Sequence, residues 1–163
     1  MRPSKQKRHI GKLLKIRLDH CEVVALCIWH TDELGYLLKW FEKDICIETL
    51  NPVQDEPFMY AFVPLDQAMR RGVVSLIKRL DDFEAYRPLM RGGGGQKPGG
   101  GHLPWYLEYN GVYERVSAHD PRLPSLSDTG LAGLGFIDFL YLHNRTPEVQ
   151  FAILSGVGRL PMQ

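Results

Sequence analysis

The amino-acid sequence predicts an α+β protein, mainly an antiparallel twisted sheet with two or three short helices, and three observations carry that prediction. Residues Leu13 to Leu18 alternate, with Leu14, Ile16 and Leu18 apolar against Lys15 and Arg17, the period of a strand with one wet face. Trp105 to Tyr109 and Val112 to Val116 flank Asn110-Gly111, a pair that tolerates the positive φ angles of a two-residue type I′ hairpin. Pro64 with Gly72, and Thr146-Pro147 with Gly156, bracket short segments as helix start and stop residues do.

Taken in order, Glu22 to Trp29 is apolar on both faces and reads as a central strand covered on each side. The polar run His30 to Gly35 connects it to a strand over Tyr36 to Phe41, and Ile45 to Leu50 reads as the next strand. Asn51 to Pro57 is a loop by composition, and Phe58 to Val63 is a further strand. A helical turn then begins at Pro64, with Leu65, Ala68 and Met69 at helical spacing, and Val73 to Leu80 returns to strand character. From Gly92 to Gly101 ten residues include seven glycines, which predicts a flexible loop. After the Asn-Gly hairpin, His119 to Gly135 reads as loop, and Phe136 to Leu142 fits strand or helix. The last helix starts at Thr146-Pro147 with Val149, Ala152 and Ile153 expected inward.

A chain of 163 residues with 44% apolar composition suits one domain, 1–163, that buries roughly 70% of its unfolded surface and needs no disulfide or metal to fold. The three cysteines are an odd number with no secretory leader pattern, which points to a reducing cytoplasm. No apolar run approaches the roughly 20 residues that cross a bilayer. The net charge of +1 conceals a basic flexible arm over residues 1–9, where Arg2, Lys5, Lys7 and Arg8 leave 16 basic against 19 acidic side chains in the rest. Such an arm is ordinarily a solvated terminus, and it is the basis of one alternative, a small β-rich nucleic-acid-binding protein.

Candidate chemistry is sparse. The glycine tract lacks the Gly-Lys-Ser/Thr of a phosphate loop, because Lys97 follows Gln96 and precedes Pro98. Cys21, Cys27, His30 and Cys46 contain zinc-type ligands but no Cys-x-x-Cys pair, and Cys27 and Cys46 fall in apolar runs where a thiol packs as a small hydrophobe. His20, His30 and His143 stand isolated. His119-Asp120 beside Ser117, Ser125 and Ser127 supplies the residue types of a hydrolytic site, a second alternative, without a nucleophile-elbow pattern. Trp29, Tyr36, Trp40 and Phe41 are interleaved with acidic rather than basic residues, so they suit a core better than a base-stacking face. Asp81, Asp82 and Glu84 form an acidic run next to the glycine tract and are the candidate partner-binding patch. No catalytic, cofactor-binding or metal-binding set is expected.

The order of these features resembles the immunity protein 26 family of bacterial polymorphic toxin systems. The likeness rests on Ile10-Gly11-Lys12-Leu13-Leu14-Lys15-Ile16-Arg17-Leu18, on Val23 to Trp29 with Leu34 to Phe41, on Phe62 to Ile77 containing Arg70-Arg71-Gly72, and on the Trp105 to Val116 hairpin. Val73 and Val74 stand where the family pattern has an aromatic, and the glycine tract departs from it as an insertion would. The resemblance implies an intracellular antidote that binds and neutralises a cognate protein toxin, with no cofactor, no membrane association and no catalysis of its own. It transfers no site residues, and oligomeric state is not legible in the sequence.

Overall fold

The computed structural model describes residues 8–95 and 97–156. Read from its sequence as one domain, the chain divides into two compact units, Met1–Arg87 with Gly130–Asn144, and Pro88–Thr129 with Arg145–Gln163. Its described strands pair antiparallel in two sheets, accompanied by three short α-helices, which is an α+β fold.

The first unit holds β1 (Lys12–Arg17), β2 (Glu22–Thr31), β3 (Gly35–Trp40), β4 (Met59–Val63), α1 (Leu65–Arg70), β5 (Val74–Arg79) and α2 (Leu134–Leu142). Its sheet has the order β4-β3-β2-β1-β5. The ten-residue β2 is buried from Val23 to Ile28, as apolar residues on both faces require. One face packs Leu14, Ile16, Ala25, Cys27, Leu38 and Trp40 against Ile137, Leu140 and Tyr141 of α2. The Tyr141 hydroxyl donates to the Phe41 carbonyl at 2.6 Å, and its ring stacks on Phe58 at 4.6 Å. Trp40 and Phe41 are fully buried and Tyr36 is nearly so, which makes them core side chains. Lys39 is buried too, and its ammonium donates to the carbonyls of Pro52 and Val53 at 3.0 and 3.1 Å; burial lowers its pKa.

Ile45 to Leu50 is not a strand. Asp44 turns the chain with φ 70°, Leu50 N–H closes a turn onto the Ile47 carbonyl at 3.3 Å, and the edge of β3 is already paired with β4 from Tyr36↔Val63 to Trp40↔Met59. With β3 flanked by β2 and β4, Ile45 and Ile47 cannot pair with the strand that precedes them in the chain.

The second unit holds β6 (Met90–Gly93), β7 (Trp105–Tyr109), β8 (Val112–Val116), a 3₁₀ turn at Leu123–Ser125 and α3 (Pro147–Ser155). Its sheet is a meander, β6-β7-β8, and the predicted hairpin is present with φ 48° at Asn110 and 88° at Gly111. Thr146 caps α3 by accepting from Val149 N–H at 3.3 Å. The face turned to the core is Pro147, Phe151 and Leu154, whereas Ile153, expected inward, is exposed. Apolar residues surround this helix, so spacing alone does not choose between the two faces.

The glycine tract also differs from the flexible loop expected over 92–101. Gly92 and Gly93 are the end of β6, paired with Tyr106 and Trp105. Beyond them, Gly94 N–H donates to Pro104 O at 3.1 Å and Leu103 N–H to Gly95 O at 2.7 Å, so the tract forms a hairpin connection whose first half is packed. Arg91, fully buried on β6, organises this unit. Its guanidinium donates to Asp128 at 2.9 Å and to the carbonyls of Leu123, Pro124 and Pro147 at 2.8, 3.2 and 2.9 Å, and lies 5.3 Å from the Phe151 ring centroid.

Candidate protein-binding surface

The acidic run Asp81, Asp82, Glu84 sits on a segment in the first unit that runs back along the sheet from the end of β5. Leu80 N–H donates to Gly11 O at 2.8 Å, and Tyr86 N–H donates to Ile28 O at 3.3 Å. Between these points Phe83 lies on the backbone of Gly11, where an added Cβ would stand 3.2 Å from the Phe83 Cβ in a residue whose φ is +88°. Glycine therefore serves twice in Ile10-Gly11, turning the chain into β1 and leaving room for the ring. The Tyr86 hydroxyl bonds to Tyr60 of β4, whose phenol is driven to a higher pKa by burial first and by that bond second. Arg87 follows with its guanidinium 5.1 Å from the Phe62 ring centroid.

Anchored in this way, the segment frames an open notch of about 430 Å³, lined by Val53, Phe83 and Tyr86 together with the three acidic residues. All three acidic residues are exposed, and none has an ion-pair partner among the described residues. The structure thus brings the sequence-predicted patch together, over an apolar floor that the sequence did not reveal. Carboxylates around a preformed apolar recess suit a basic or amphipathic side chain from a partner, with little ordering of the loop on binding.

A second surface feature of this unit escaped the sequence reading. The outer side of α2 exposes Phe136, Phe139 and Leu142, with Leu131 just upstream, and the two phenylalanine rings stack at 6.3 Å. The one charged residue of the helix, Asp138, points inward and is 4% exposed. There it accepts the His20 backbone N–H at 2.9 Å and meets His20 Nδ1 as well, so His20 is not isolated. These partners are 118 residues apart, which is why neither stood out.

This pair makes the stability of the first unit pH-dependent. The hydrogen bond from Asp138, then its charge, raises the His20 pKa; burial works to raise that of Asp138, and the bonds from His20 outweigh it to leave the carboxyl below its usual range. The His20 contribution is complete below its unfolded value of about 6.5 and fades as pH rises through the raised folded value. The Asp138 contribution is complete above its unfolded value of about 3.9 and fades as pH falls through the lowered folded value. Asp138→Asn is therefore expected to destabilise most between about pH 4 and 6.5, with a smaller difference from wild type on either side, read as urea midpoints across pH.

In the second unit, His119 and Asp120 line one cleft of about 860 Å³ with Ser117, Trp105 and Phe151. The Asp120 carboxylate is held by the Arg122 guanidinium at 3.0 and 2.8 Å, which keeps its pKa at about 2, and the His119 backbone N–H donates to Ser117 Oγ at 3.1 Å. Among the described residues no side chain is hydrogen-bonded to the His119 imidazole to orient it as a general base requires. Cys27 is buried, and burial pushes its thiol up, while Cys21 is half-buried. Cys46 is exposed rather than in the core, with Sγ 3.2 Å from Glu48 Oε2, because its segment is the turn described above. Among the described residues no three His, Cys, Asp or Glu side chains come together to hold a metal ion. His30 packs on the Tyr36 ring and His143 on Phe139.

Of the basic arm, residues 1–7 lie outside the described residues. Arg8 pairs with Asp66 at 2.6 Å, and His9 is buried beside the same carboxylate at 3.2 Å. Among the described residues no helix is long and apolar enough to cross a membrane.

Compared with known proteins, the chain matches no family model, no curated protein and no solved structure.

Proposed function

We propose that this chain is an immunity protein that binds and neutralises a cognate bacterial toxin in the cytoplasm, without catalysis of its own. The single observation that supports this reading best is the notch of residues 80–86, where Asp81, Asp82 and Glu84 surround Phe83 and Tyr86 on a segment tied to Gly11, β2 and β4. An inhibitor must present a surface that is already formed, because every side chain or loop ordered on binding costs affinity. The resemblance to the immunity protein 26 family supplies the kind of partner, a protein toxin. The acidic rim supplies its chemistry, a basic surface whose approach the field of the carboxylates accelerates.

Co-expression tests the reading. The toxin encoded beside this gene is expected to arrest growth alone, growth is expected to return when this chain is co-expressed, and the two are expected to co-purify in fixed stoichiometry. A folded chain that neither restores growth nor co-purifies contradicts the proposal.

A further inference from the structure

The corner of the first unit where β1 begins and β5 ends gathers positive charge. The register of the two strands sets Lys12 directly opposite Arg79, and like charges opposed in this way on one face of a sheet destabilise it. The Arg79 guanidinium donates to the Arg8 carbonyl at 3.0 Å. The Lys12 ammonium donates to His9 Nδ1 at 3.1 Å, which makes that nitrogen an acceptor and the imidazole uncharged. Arg8 Nε stands 3.0 Å from the other ring nitrogen. Arg8, Lys12 and Arg79 are thus gathered beside one buried, neutral histidine.

Asp66 is the carboxylate bonded into this group, and it is already engaged by Arg8 at 2.6 Å and by His9 at 3.2 Å. Among the described residues neither Lys12 nor Arg79 has an ion-pair partner, and Asp81 and Asp82, close to Arg79 in sequence, form none with it. Arg8, Lys12 and Arg79 against Asp66 leave two positive charges unmatched. Burial first, then the charges of Arg79 and Arg8, lowers the Lys12 pKa. The residues before Arg8 bring Arg2, Lys5 and Lys7 and no carboxylate, whereas beyond residue 9 the chain has 16 basic against 19 acidic side chains, so the excess is local.

We propose that this corner is a binding site for a phosphate group, held between Lys12 and Arg79 with Arg8 beside them. Charge is the first reason. A free phosphate or a monoester carries about −1.5 to −2 at pH 7, which matches the unmatched pair of charges, whereas a carboxylate or a diester carries a single one. The donors are the second. One ammonium and two guanidinium groups present N–H donors from three side chains, which suits an anion with several tetrahedral oxygens. A planar carboxylate is filled by one guanidinium, as Asp120 is by Arg122. Access is the third, because Arg8 and Arg79 are exposed and Lys12 is half-buried. The site requires nothing from the immunity reading.

Titration of the full chain with sodium phosphate, without any toxin and with ionic strength held constant by chloride, tests this by amide NMR. Saturable shifts are expected at His9, Lys12 and Arg79, with a dissociation constant in the millimolar range, because a partly exposed site of few charges binds weakly. Glycerol phosphate, titrated in parallel, distinguishes an ester from the free ion as the better source of the group. Dimethyl phosphate, similar in shape but singly charged, is expected to bind about tenfold more weakly or less. Lys12→Gln keeps a donor for His9 and removes one charge, and Arg79→Gln removes the charge opposite. Each, with a dispersed amide spectrum showing that it folds, is expected to bind phosphate about tenfold more weakly. The proposal is overturned if no saturable shift appears up to about 50 mM phosphate. It is equally overturned if dimethyl phosphate binds as well as phosphate, or if both variants respond as wild type does.

Discussion

Arg91→Met is expected to destabilise the second unit by about 3–5 kcal/mol, the largest effect of any single substitution considered for it. The side chain has no exposure to water, and its guanidinium is the common donor to Asp128, Leu123, Pro124 and Pro147. Methionine matches the stem and its contact with Phe151 but leaves these acceptors without their donor, and each buried acceptor so stranded costs about 1–3 kcal/mol. Arg91→Lys keeps the charge, but a single ammonium cannot reach acceptors arranged for a planar fork, so an intermediate loss is expected. Hydrogen exchange at the amides of β7 and β8 reads the result. Protection within about 1 kcal/mol of wild type in Arg91→Met is the outcome that removes this residue from its central place.

Gly94→Ala is expected to cost about 3 kcal/mol, and Gly100→Ala, in the same glycine tract, about 1. At Gly94 φ is +78° and an added Cβ would lie 2.2 Å from the Trp105 ring, so the alanine is strained and also displaces a core indole. At Gly100 φ is +107° and nothing stands within 4 Å, which leaves the backbone strain alone. Urea denaturation of the two variants checks the contrast. Equal losses would mean that the tract is uniform, as its composition suggests, rather than packed at one end.

Most of the secondary structure is legible in the sequence wherever local chemistry decides it. The alternation at Leu13–Leu18, the Asn110-Gly111 turn and the Thr146-Pro147 cap each act within a few residues, and each appears where the sequence places it. β6 was hidden because Met90-Arg91-Gly92-Gly93 has no alternation and two residues of low strand propensity. It forms because β7 offers an edge and because Arg91 gains five hydrogen bonds there. The converse failure is Ile45 to Leu50, a good local pattern next to a strand, β3, whose edges are taken by β2 and β4. The candidate site shows the same division. Asp81, Asp82 and Glu84 were visible as a charge run, but their supports at Gly11, Ile28 and Tyr60 are distant in sequence, as are the two members of the His20–Asp138 pair. In α2 every residue but Gly135 and Asp138 is apolar, and only packing decides that Ile137, Leu140 and Tyr141 are covered while Phe136, Phe139 and Leu142 are exposed.

Toxin neutralisation through the acidic notch, as proposed, is open to a direct test by calorimetric titration of the purified toxin. Wild type is expected to bind tightly at one-to-one stoichiometry. The Asp81→Asn, Asp82→Asn, Glu84→Gln triple variant, which keeps the shape of the notch and removes its charge, is expected to bind about 10- to 100-fold more weakly, with a smaller dependence of affinity on salt. Affinity and salt dependence that are the same in the triple variant and wild type would mean that the toxin is not held at the notch.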